Sequence, residues 1–238
     1  MTNFTQTDLE KLKSFFHVKE TPQEREIFLL KRSKQYIWYL KYIPWILFVG
    51  VWNSVAMNTA HSDSDIDLFI ITQENRLWMV RILSTLIISL LWVRKTKEKH
   101  KDQFCLSFFI TEKALDFSSF ALKNDIYLYF WILSLKPILD YNNSYDRFIE
   151  ANSSWIPTHQ YDDTLSENKR YITYTWKSSS KTSIIWNTFE SLFKKIFLPR
   201  TLRHYRSLGS PFWVIIWDDI LKFHDQDKRK VFRDEILW

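Results

Sequence analysis

Apolar residues in the first 140 positions form short solid runs that alternate with longer stretches at helical spacing. The short runs are rich in β-branched and aromatic residues, and they predict three strands at 45–51, 66–71 and 104–110. The longer stretches predict four helices at about 8–17, 22–42, 75–93 and 125–135. Because few strands alternate with several helices, the predicted fold class is α+β, with helices packed on a small mixed sheet.

The pattern changes after about residue 150. The polar stretches YDDTLSENKR and KSSSKTS are typical of loops, and they precede apolar positions that recur at helical spacing from Ile184 to Leu198. A last helix is predicted over about 218–237. The chain is therefore expected to form one domain over 1–150, with its core at about 22–140, followed by a helical C-terminal region over 151–238.

The net charge of +6 is moderate, and the single cysteine excludes an intrachain disulfide framework and fits a reducing compartment. The N-terminus has no apolar segment typical of a signal peptide, so a cytoplasmic protein is expected. The most apolar run holds 12 residues, 82–93, between Arg81 and Arg94. As a helix it would reach roughly 18 Å, short of the ~30 Å hydrocarbon core, so a buried or membrane-surface helix is expected and a span is not.

Three aspartates, Asp63, Asp65 and Asp67, alternate with other residues and lead directly into the apolar run at 66–71. Residues two apart in a strand share a face, so Asp65 and Asp67 are predicted to point the same way. Two adjacent carboxylates repel unless a cation lies between them, and paired carboxylates suit Mg²⁺. The alternative is a solvated acidic turn before an edge strand.

An apolar strand, the small polar pair Asn53-Ser54, ten further residues and then Asp65-Ile66-Asp67 leading into a second strand resemble the nucleotidyltransferase superfamily typified by DNA polymerase β. The resemblance covers about residues 22–150. The flanks are similar to uncharacterised bacterial proteins of this superfamily, at segments 54–58, 64–72, 75–78, 218–219 and 221–224.

The resemblance implies a metal-dependent enzyme that moves a nucleoside monophosphate from a nucleoside triphosphate to an acceptor, possibly a nucleic acid. Asp65 and Asp67 would bind Mg²⁺, and Asn53 and Ser54 would cradle the β- and γ-phosphates. Pyrophosphate would leave as the acceptor attacks the α-phosphorus.

The chain departs from the superfamily pattern on the strand at 104–110, where a third metal-binding carboxylate is usual but no acid is present. Ser107 is predicted to point inward and Cys105 to be inert core. Glu112 and Asp116 lie just beyond the strand and would serve only if the backbone returned to the site. A catalytically weakened or inactive module that binds nucleotide or RNA is therefore the alternative function.

The second departure concerns glycine, since the chain has 2 glycines and 12 tryptophans where average usage predicts roughly 17 glycines. Trp52 stands at the phosphate loop and is predicted to block it. Some bacteria read the UGA codon as glycine while another codon table reads it as tryptophan. We hypothesise that translation with the wrong table placed tryptophan at some glycine positions, the alternative being compositional drift. The candidates are Trp45, Trp52, Trp92 and Trp213.

Several other polar residues carry two interpretations each. Arg76 and Arg81 could contact phosphates or be merely solvated, and His61 could orient a phosphate or lie on a surface loop. The basic cluster over 194–206 could follow a nucleic-acid backbone or form a solvated helix. An acidic segment could bind a metal or be a solvated helix with a capping aspartate; its members are Asp218, Asp219, His224, Asp225 and Asp227.

Overall fold

The structure, a computed structural model, describes residues 6–156, 161–176, 184–211, 214–223 and 229. Within this part of the chain the strands are β1 (Ile46–Trp52), β2 (Ile66–Thr72), β3 (Phe104–Thr111), β4 (Lys136–Tyr141), β5 (Tyr174–Trp176), β6 (Ile215–Ile216) and β7 (Ile220–Lys222). The helices are α1 (Gln6–Phe15), α2 (Glu24–Leu40), α3 (Asn53–Ala56), α4 (Leu77–Leu90), α5 (Ile126–Ser134), α6 (Ser144–Ala151), α7 (Asp162–Lys169) and α8 (Ile184–Ser207).

All seven strands belong to one mixed sheet in the order β5-β4-β1-β2-β3-β7-β6. β1 pairs antiparallel with both β2 and β4, whereas β2 and β3 are parallel. Every residue of β1 and β2 is buried. Strands that are covered on both faces read as continuous apolar runs, which explains why the sequence shows them without alternation. The predicted mixed sheet with helices packed on it is confirmed.

Two hydrophobic clusters occupy opposite faces of the sheet. One contains Phe69 of β2, which packs against Phe108 of β3 at 5.0 Å, Trp131 of α5 at 5.3 Å and Phe148 of α6 at 5.2 Å between ring centres. The other contains Ile70, the neighbour of Phe69, together with residues of α2 and α4. Since alternate strand residues point to opposite faces, helices cover both sides of the central strands.

The three predicted strands and four predicted helices of the N-terminal part are confirmed within a few residues, but β4 was not foreseen. The helix predicted over 125–135 ends at Ser134, and Pro137 lies in β4 opposite Gly50, where the pairing register shifts. A register shift is one of the few places where a sheet accepts proline. A Cβ on Gly50 would lie 2.8 Å from the Phe48 ring and 3.0 Å from Leu135, so close packing requires glycine here.

The prediction of a helical C-terminal region is confirmed in part, since α7 and α8 lie there and α8 begins at Ile184 as predicted. Three further segments form β5, β6 and β7 and extend the sheet, and the helix predicted over 218–237 is wrong at 220–222, where the chain forms β7. Ile220 and Leu221 are buried because β3 offers β7 an open edge whose backbone groups need partners. Residues 224–228 and 230–237 lie outside the described residues. Among the described residues, no helix combines the length and apolarity that crossing a bilayer requires.

The start of α4 is capped by a carboxylate that is distant in sequence. Glu190 of α8 accepts hydrogen bonds from the backbone N–H groups of Trp78 at 2.8 Å and Met79 at 2.9 Å. Arg76 donates to the Asn187 side chain at 2.7 Å beside it. Burial raises the pKa of Glu190, and these donors oppose that effect. Arg76 is the N-cap residue of α4 and makes no side-chain cap of its own.

Replacement of Glu190 by alanine should lower the free energy of unfolding by about 2 kcal/mol, because it leaves the N–H groups of Trp78 and Met79 without their acceptor. Urea unfolding measures the change. Glu10→Ala, an exposed position on α1, is the matched control and should be close to neutral. Equal stability of the two variants would show that Glu190 does not cap α4.

Left-handed backbone in the described chain falls mainly on asparagine, which supplies six of the ten non-glycine residues with positive φ. Trp92 is the bulky exception, with φ 59° and 84% of its surface exposed. Its N–H bonds the Ser89 carbonyl and the Val93 N–H bonds the Ile88 carbonyl, which is the helix ending where glycine is usual. Trp92 therefore stands in a glycine-like position.

The other tryptophans of the codon hypothesis differ from Trp92. Trp45 and Trp52 are 5% and 4% exposed and neither has a positive φ, so both behave as core residues. Trp213 lies outside the described residues. The structure thus gives the hypothesis a steric argument at residue 92 and none at residues 45 and 52.

Replacement of Trp92 by glycine should raise the free energy of unfolding by roughly 0.5–1 kcal/mol, since relief of left-handed strain exceeds the extra entropy of glycine in the unfolded chain. Thermal and urea unfolding measure it. Asn142→Gly is the control, because asparagine already tolerates its φ of 56° at an exposed site. A loss of stability in Trp92→Gly would contradict the prediction.

Candidate metal and phosphate site

Asp65 and Asp67 lie where the ends of three strands meet. Asp67 is the second residue of β2, and its backbone is opposite Trp52 at the end of β1 and Cys105 near the start of β3. Asp65 precedes β2 by one residue. The antiparallel pairing of β1 with β2 and the parallel pairing of β2 with β3 therefore bring the three strand ends together at this point of the sheet.

The two carboxylates are close together, as the spacing of two predicts. One carboxylate oxygen of Asp65, one of Asp67 and the Sγ of Cys105 lie within 4.8 Å of one another. Asp67 is buried and only 6% exposed, whereas Asp65 is partly exposed. A buried carboxylate needs partners that replace water, so the surroundings of Asp67 determine what the site can bind.

Asn53 is one of those partners. Its Nδ2 donates to Oδ2 of Asp67 at 2.9 Å. Asn53 follows β1 directly and has a left-handed backbone, with φ 55°, so it takes the glycine-like position of the loop. Asparagine tolerates this conformation better than most residues. Ser54, the second residue named for phosphate binding, is partly buried and comes next on the short α3.

Trp52 is the last residue of β1, directly before the loop. Its ring packs in the core, 5.0 Å from the Trp131 ring and 5.5 Å from the Phe108 ring. Because Trp52 lies opposite Asp67 in the pairing of β1 with β2, the two side chains share the aromatic face of the sheet, and obstruction of the phosphate loop by Trp52 stays a prediction.

Lys95 supplies a cation that sequence reasoning missed. Its Nζ lies 2.8 Å from Oδ2 of Asp65. Burial acts to lower the pKa of Lys95, but the hydrogen bond to Asp65 and the charges of Asp65 and Asp67 raise it overall. In the sequence, the stretch RKTKEKHKDQ at 94–103 is typical of a solvated basic loop. In the structure the Lys95 N–H bonds the Phe104 carbonyl of β3 at 2.9 Å, and this pairing brings Lys95 to the site.

Cys105, expected to be inert core, takes the place where the third carboxylate was sought. The pairing of β2 with β3 shifts register between the pairs Asp67–Cys105 and Phe69–Phe108. Cys105 lies directly opposite Asp67 and therefore adjoins the aspartates, whereas Ser107, which was predicted to point inward, lies at the bulge just beyond it. Burial and the charge of Asp67 raise the pKa of the Cys105 thiol, which stays protonated at neutral pH.

The acids beyond β3 do not reach the site. Glu112 pairs with Arg147 at 3.2 Å, past the opposite end of β3 from Cys105. Seven residues of extended strand span roughly 23 Å, which excludes a shared metal. Asp116 accepts the Ser118 N–H at 2.8 Å and closes a local turn.

Helix α2 holds the loop that leads to Asp65. Arg25 pairs with Asp102 at 2.6 Å and donates to the His61 carbonyl at 3.0 Å. Glu26, fully buried, accepts the Ala60 N–H at 3.0 Å. These contacts pin the loop at both the α3 side and the β3 side, so the aspartates start from a braced backbone. His61 takes part through its backbone carbonyl, and the residue is exposed.

Arg76 and Arg81, which were considered for phosphate binding, contact the C-terminal region instead. Arg76 is 1% exposed and bonds Asn187. Arg81 lies over the Phe223 ring at 4.2 Å and donates to Thr201 at 3.2 Å. Burial lowers the pKa of Arg81 to about 10, which leaves it charged at neutral pH.

The acidic candidates near the C-terminus are also engaged in structural contacts. Asp218 pairs with Lys194 at 2.7 Å. Asp219 accepts a 2.6 Å hydrogen bond from the Thr111 hydroxyl of β3. His224, Asp225 and Asp227 lie outside the described residues.

The donor set at the strand junction fits a hard divalent cation in part. Asp65 and Asp67 present carboxylate oxygens, which Mg²⁺ prefers, and Mg²⁺ commonly takes only one or two protein carboxylates with phosphate and water completing its shell. The protonated thiol of Cys105 is a poor ligand for such an ion. Lys95 neutralises Asp65, so a cation bound there would have to displace its ammonium group.

Comparison of the chain with protein-family models, with curated proteins and with solved structures finds no match.

Proposed function

We propose that this protein transfers a nucleoside monophosphate from a nucleoside triphosphate to an acceptor in a Mg²⁺-dependent reaction. The observation that carries the proposal is the pair Asp65 and Asp67 at the junction of β1, β2 and β3, with Asn53 bonded to Asp67. The resemblance of the segment 51–72 to the nucleotidyltransferases of the DNA polymerase β type supports it. So does the mixed order of the central strands, in which β2 is antiparallel to β1 and parallel to β3.

In this reaction Asp65 and Asp67 would hold Mg²⁺. A bound Mg²⁺ neutralises charge on the triphosphate and on the leaving pyrophosphate. The side chains of Asn53 and Ser54 offer an amide and a hydroxyl to the β- and γ-phosphates. Asn53 also orients Asp67 through its 2.9 Å hydrogen bond.

Lys95 has two roles under this proposal. Without a metal it neutralises Asp65 and limits the repulsion between the two carboxylates. If Asp65 and Asp67 held Mg²⁺, the ammonium group of Lys95, on its flexible side chain, would be available to pair with a phosphate oxygen of the triphosphate as a point charge.

The second candidate function is a binding module that keeps the fold and has weakened catalysis. It is favoured by Cys105, a protonated thiol at the position that adjoins both aspartates where a third carboxylate is usual in the superfamily. Two carboxylates can anchor a metal–triphosphate complex, but activation of the attacking group would lack a third acidic ligand. The two functions share the nucleotide site and differ in turnover.

The double variant Asp65→Asn/Asp67→Asn should weaken Mg²⁺-dependent triphosphate binding at least about tenfold, because it removes both anionic ligands while keeping side-chain shape. Calorimetric titration with each nucleoside triphosphate measures the affinity. Asp63→Asn is the matched control, since the Asp63 side chain is 72% exposed and lies in the same loop. Binding that survives the double variant, or that is lost equally in the control, would refute the proposed site.

Replacement of Cys105 by aspartate should raise Mg²⁺ affinity about tenfold, because it adds a third hard ligand beside the pair. Cys105→Ser is the control of similar size without charge. Magnesium titration followed by thermal shift measures binding, and pyrophosphate release measures turnover. Turnover that appears only in Cys105→Asp would favour the binding module, whereas turnover in the unaltered chain would favour the enzyme. An unchanged Mg²⁺ affinity would show that residue 105 does not face the metal.

A further inference from the structure

Helix α8 carries an exposed apolar stripe that no other element covers among the described residues. Ile185, Phe189, Leu192 and Ile196 follow one another at steps of four, three and four residues, so they share one side of the helix. They are 64%, 42%, 47% and 55% exposed. This outer stripe is distinct from the inner side, where Glu190 caps α4.

The inner side of α8 explains why the helix is held in place. Glu190 is 8% exposed, and Phe193 and Phe197 pack against the cluster shared with α2 and α4. Because this side already fixes the helix to the domain, the outer stripe contributes little to folding. Its four large apolar side chains therefore need another explanation.

The charges on α8 have one sign at the surface. Glu190 is the only acidic residue of the helix and it is buried, whereas Lys195, Arg200, Arg203 and Arg206 are exposed. Lys195 precedes the last apolar residue of the stripe, Ile196, and Arg200 and Arg203 follow it within two turns. Cations thus border the apolar stripe on its C-terminal half.

An apolar cleft opens beside the stripe. It has a volume of about 630 Å³ and is lined by Trp45, by Met79 and Leu83 of α4, and by Phe189 and Phe193 of α8. Phe189 belongs to both the cleft and the outer stripe. The exposed apolar surface therefore continues from the crest of α8 into the groove between α8 and α4.

We propose that α8 docks this protein on an anionic lipid bilayer. The outer stripe would enter the boundary between headgroups and acyl chains, and the bordering cations would meet the phosphates, which is the arrangement of an interfacial helix. The surface positive charge matches anionic headgroups. This inference does not depend on the proposed nucleotide site, which lies at the junction of β1, β2 and β3 and uses none of these residues.

A bilayer fits this surface better than a nucleic acid or a second copy of the chain. Backbone recognition of nucleic acid would use Arg200 and Arg203, yet it gives no role to the four neighbouring apolar side chains. Pairing of two α8 helices would bring cations together, with no exposed acid on the helix to balance them. Each alternative predicts a different result in the experiment below.

Vesicle flotation tests the proposal, with vesicles of phosphatidylcholine alone and of an equal mixture of phosphatidylcholine and phosphatidylglycerol. We expect the full chain to partition at least about tenfold more strongly onto the anionic vesicles, with the difference shrinking at high salt. Leu192→Ser/Ile196→Ser and Arg200→Gln/Arg203→Gln should each reduce that partition about tenfold. All variants are checked for native circular dichroism and unfolding.

The matched control is Ile27→Ser/Phe28→Ser on α2, whose side chains are 57% and 48% exposed. It should bind vesicles like the unaltered chain. Equal partition onto both vesicle types, or an equal loss in the α2 control, would overturn the proposal. So would vesicle-free dimers that dissociate in the Leu192→Ser/Ile196→Ser variant, or a short single-stranded RNA bound through Arg200 and Arg203 by a chain that ignores vesicles.

Discussion

The buried carboxylate of Asp67 is the constraint around which the central strands are arranged. Removing a carboxylate from water costs several kcal/mol unless charges and donors replace the lost hydration. Here Asn53 donates to it, and the cation of Lys95 lies on the adjacent Asp65. Asn53 reaches it only because the chain turns through a left-handed conformation directly after β1. The ends of β1, β2 and β3 therefore have to coincide, and the mixed pairing of the three strands satisfies that requirement.

The same arrangement leaves the site open to exchange. The pair formed by Lys95 and Asp65 is partly exposed, with 41% and 19% of the side-chain surfaces accessible, and such pairs contribute only about 1 kcal/mol. Under the proposed function, a divalent cation that arrived with a triphosphate would bring a larger charge interaction and would displace the lysine. The contacts of Arg25 and Glu26 would be kept in that exchange, because they act on the loop backbone and not on Asp65 or Asp67. Arg25 and Glu26 thus hold the loop backbone, whereas Lys95 is the side chain that would move.

The sequence predicts the parts of this molecule that depend on local pattern. The central strands can be recognised in the sequence because burial on both faces makes them continuous apolar runs. Asp65 and Asp67 can be predicted to lie together because residues two apart in a strand share a face. Cys105 could not be placed, because the residue of β3 that lies opposite Asp67 depends on the register between two strands, which neither segment specifies alone. Lys95 was hidden in a run of similar basic residues, and the cap of α4 comes from Glu190, 112 residues after Trp78. The positions of Cys105, Lys95 and Glu190 all depend on contacts between separate segments of the chain, which a local sequence pattern does not show.

The C-terminal segments connect that long-range pairing to the site. β7 adds to the edge of β3, and the Phe223 N–H that follows it bonds the Ser107 carbonyl at 2.7 Å, at the bulge that begins just after Cys105. α8 joins the same region through Arg81, whose guanidinium lies between Thr201 and the Phe223 ring. α8 is therefore linked to β3 through packed side chains and backbone hydrogen bonds. The position of α8 and the surroundings of Asp67 are in this way physically connected, although they use separate residues.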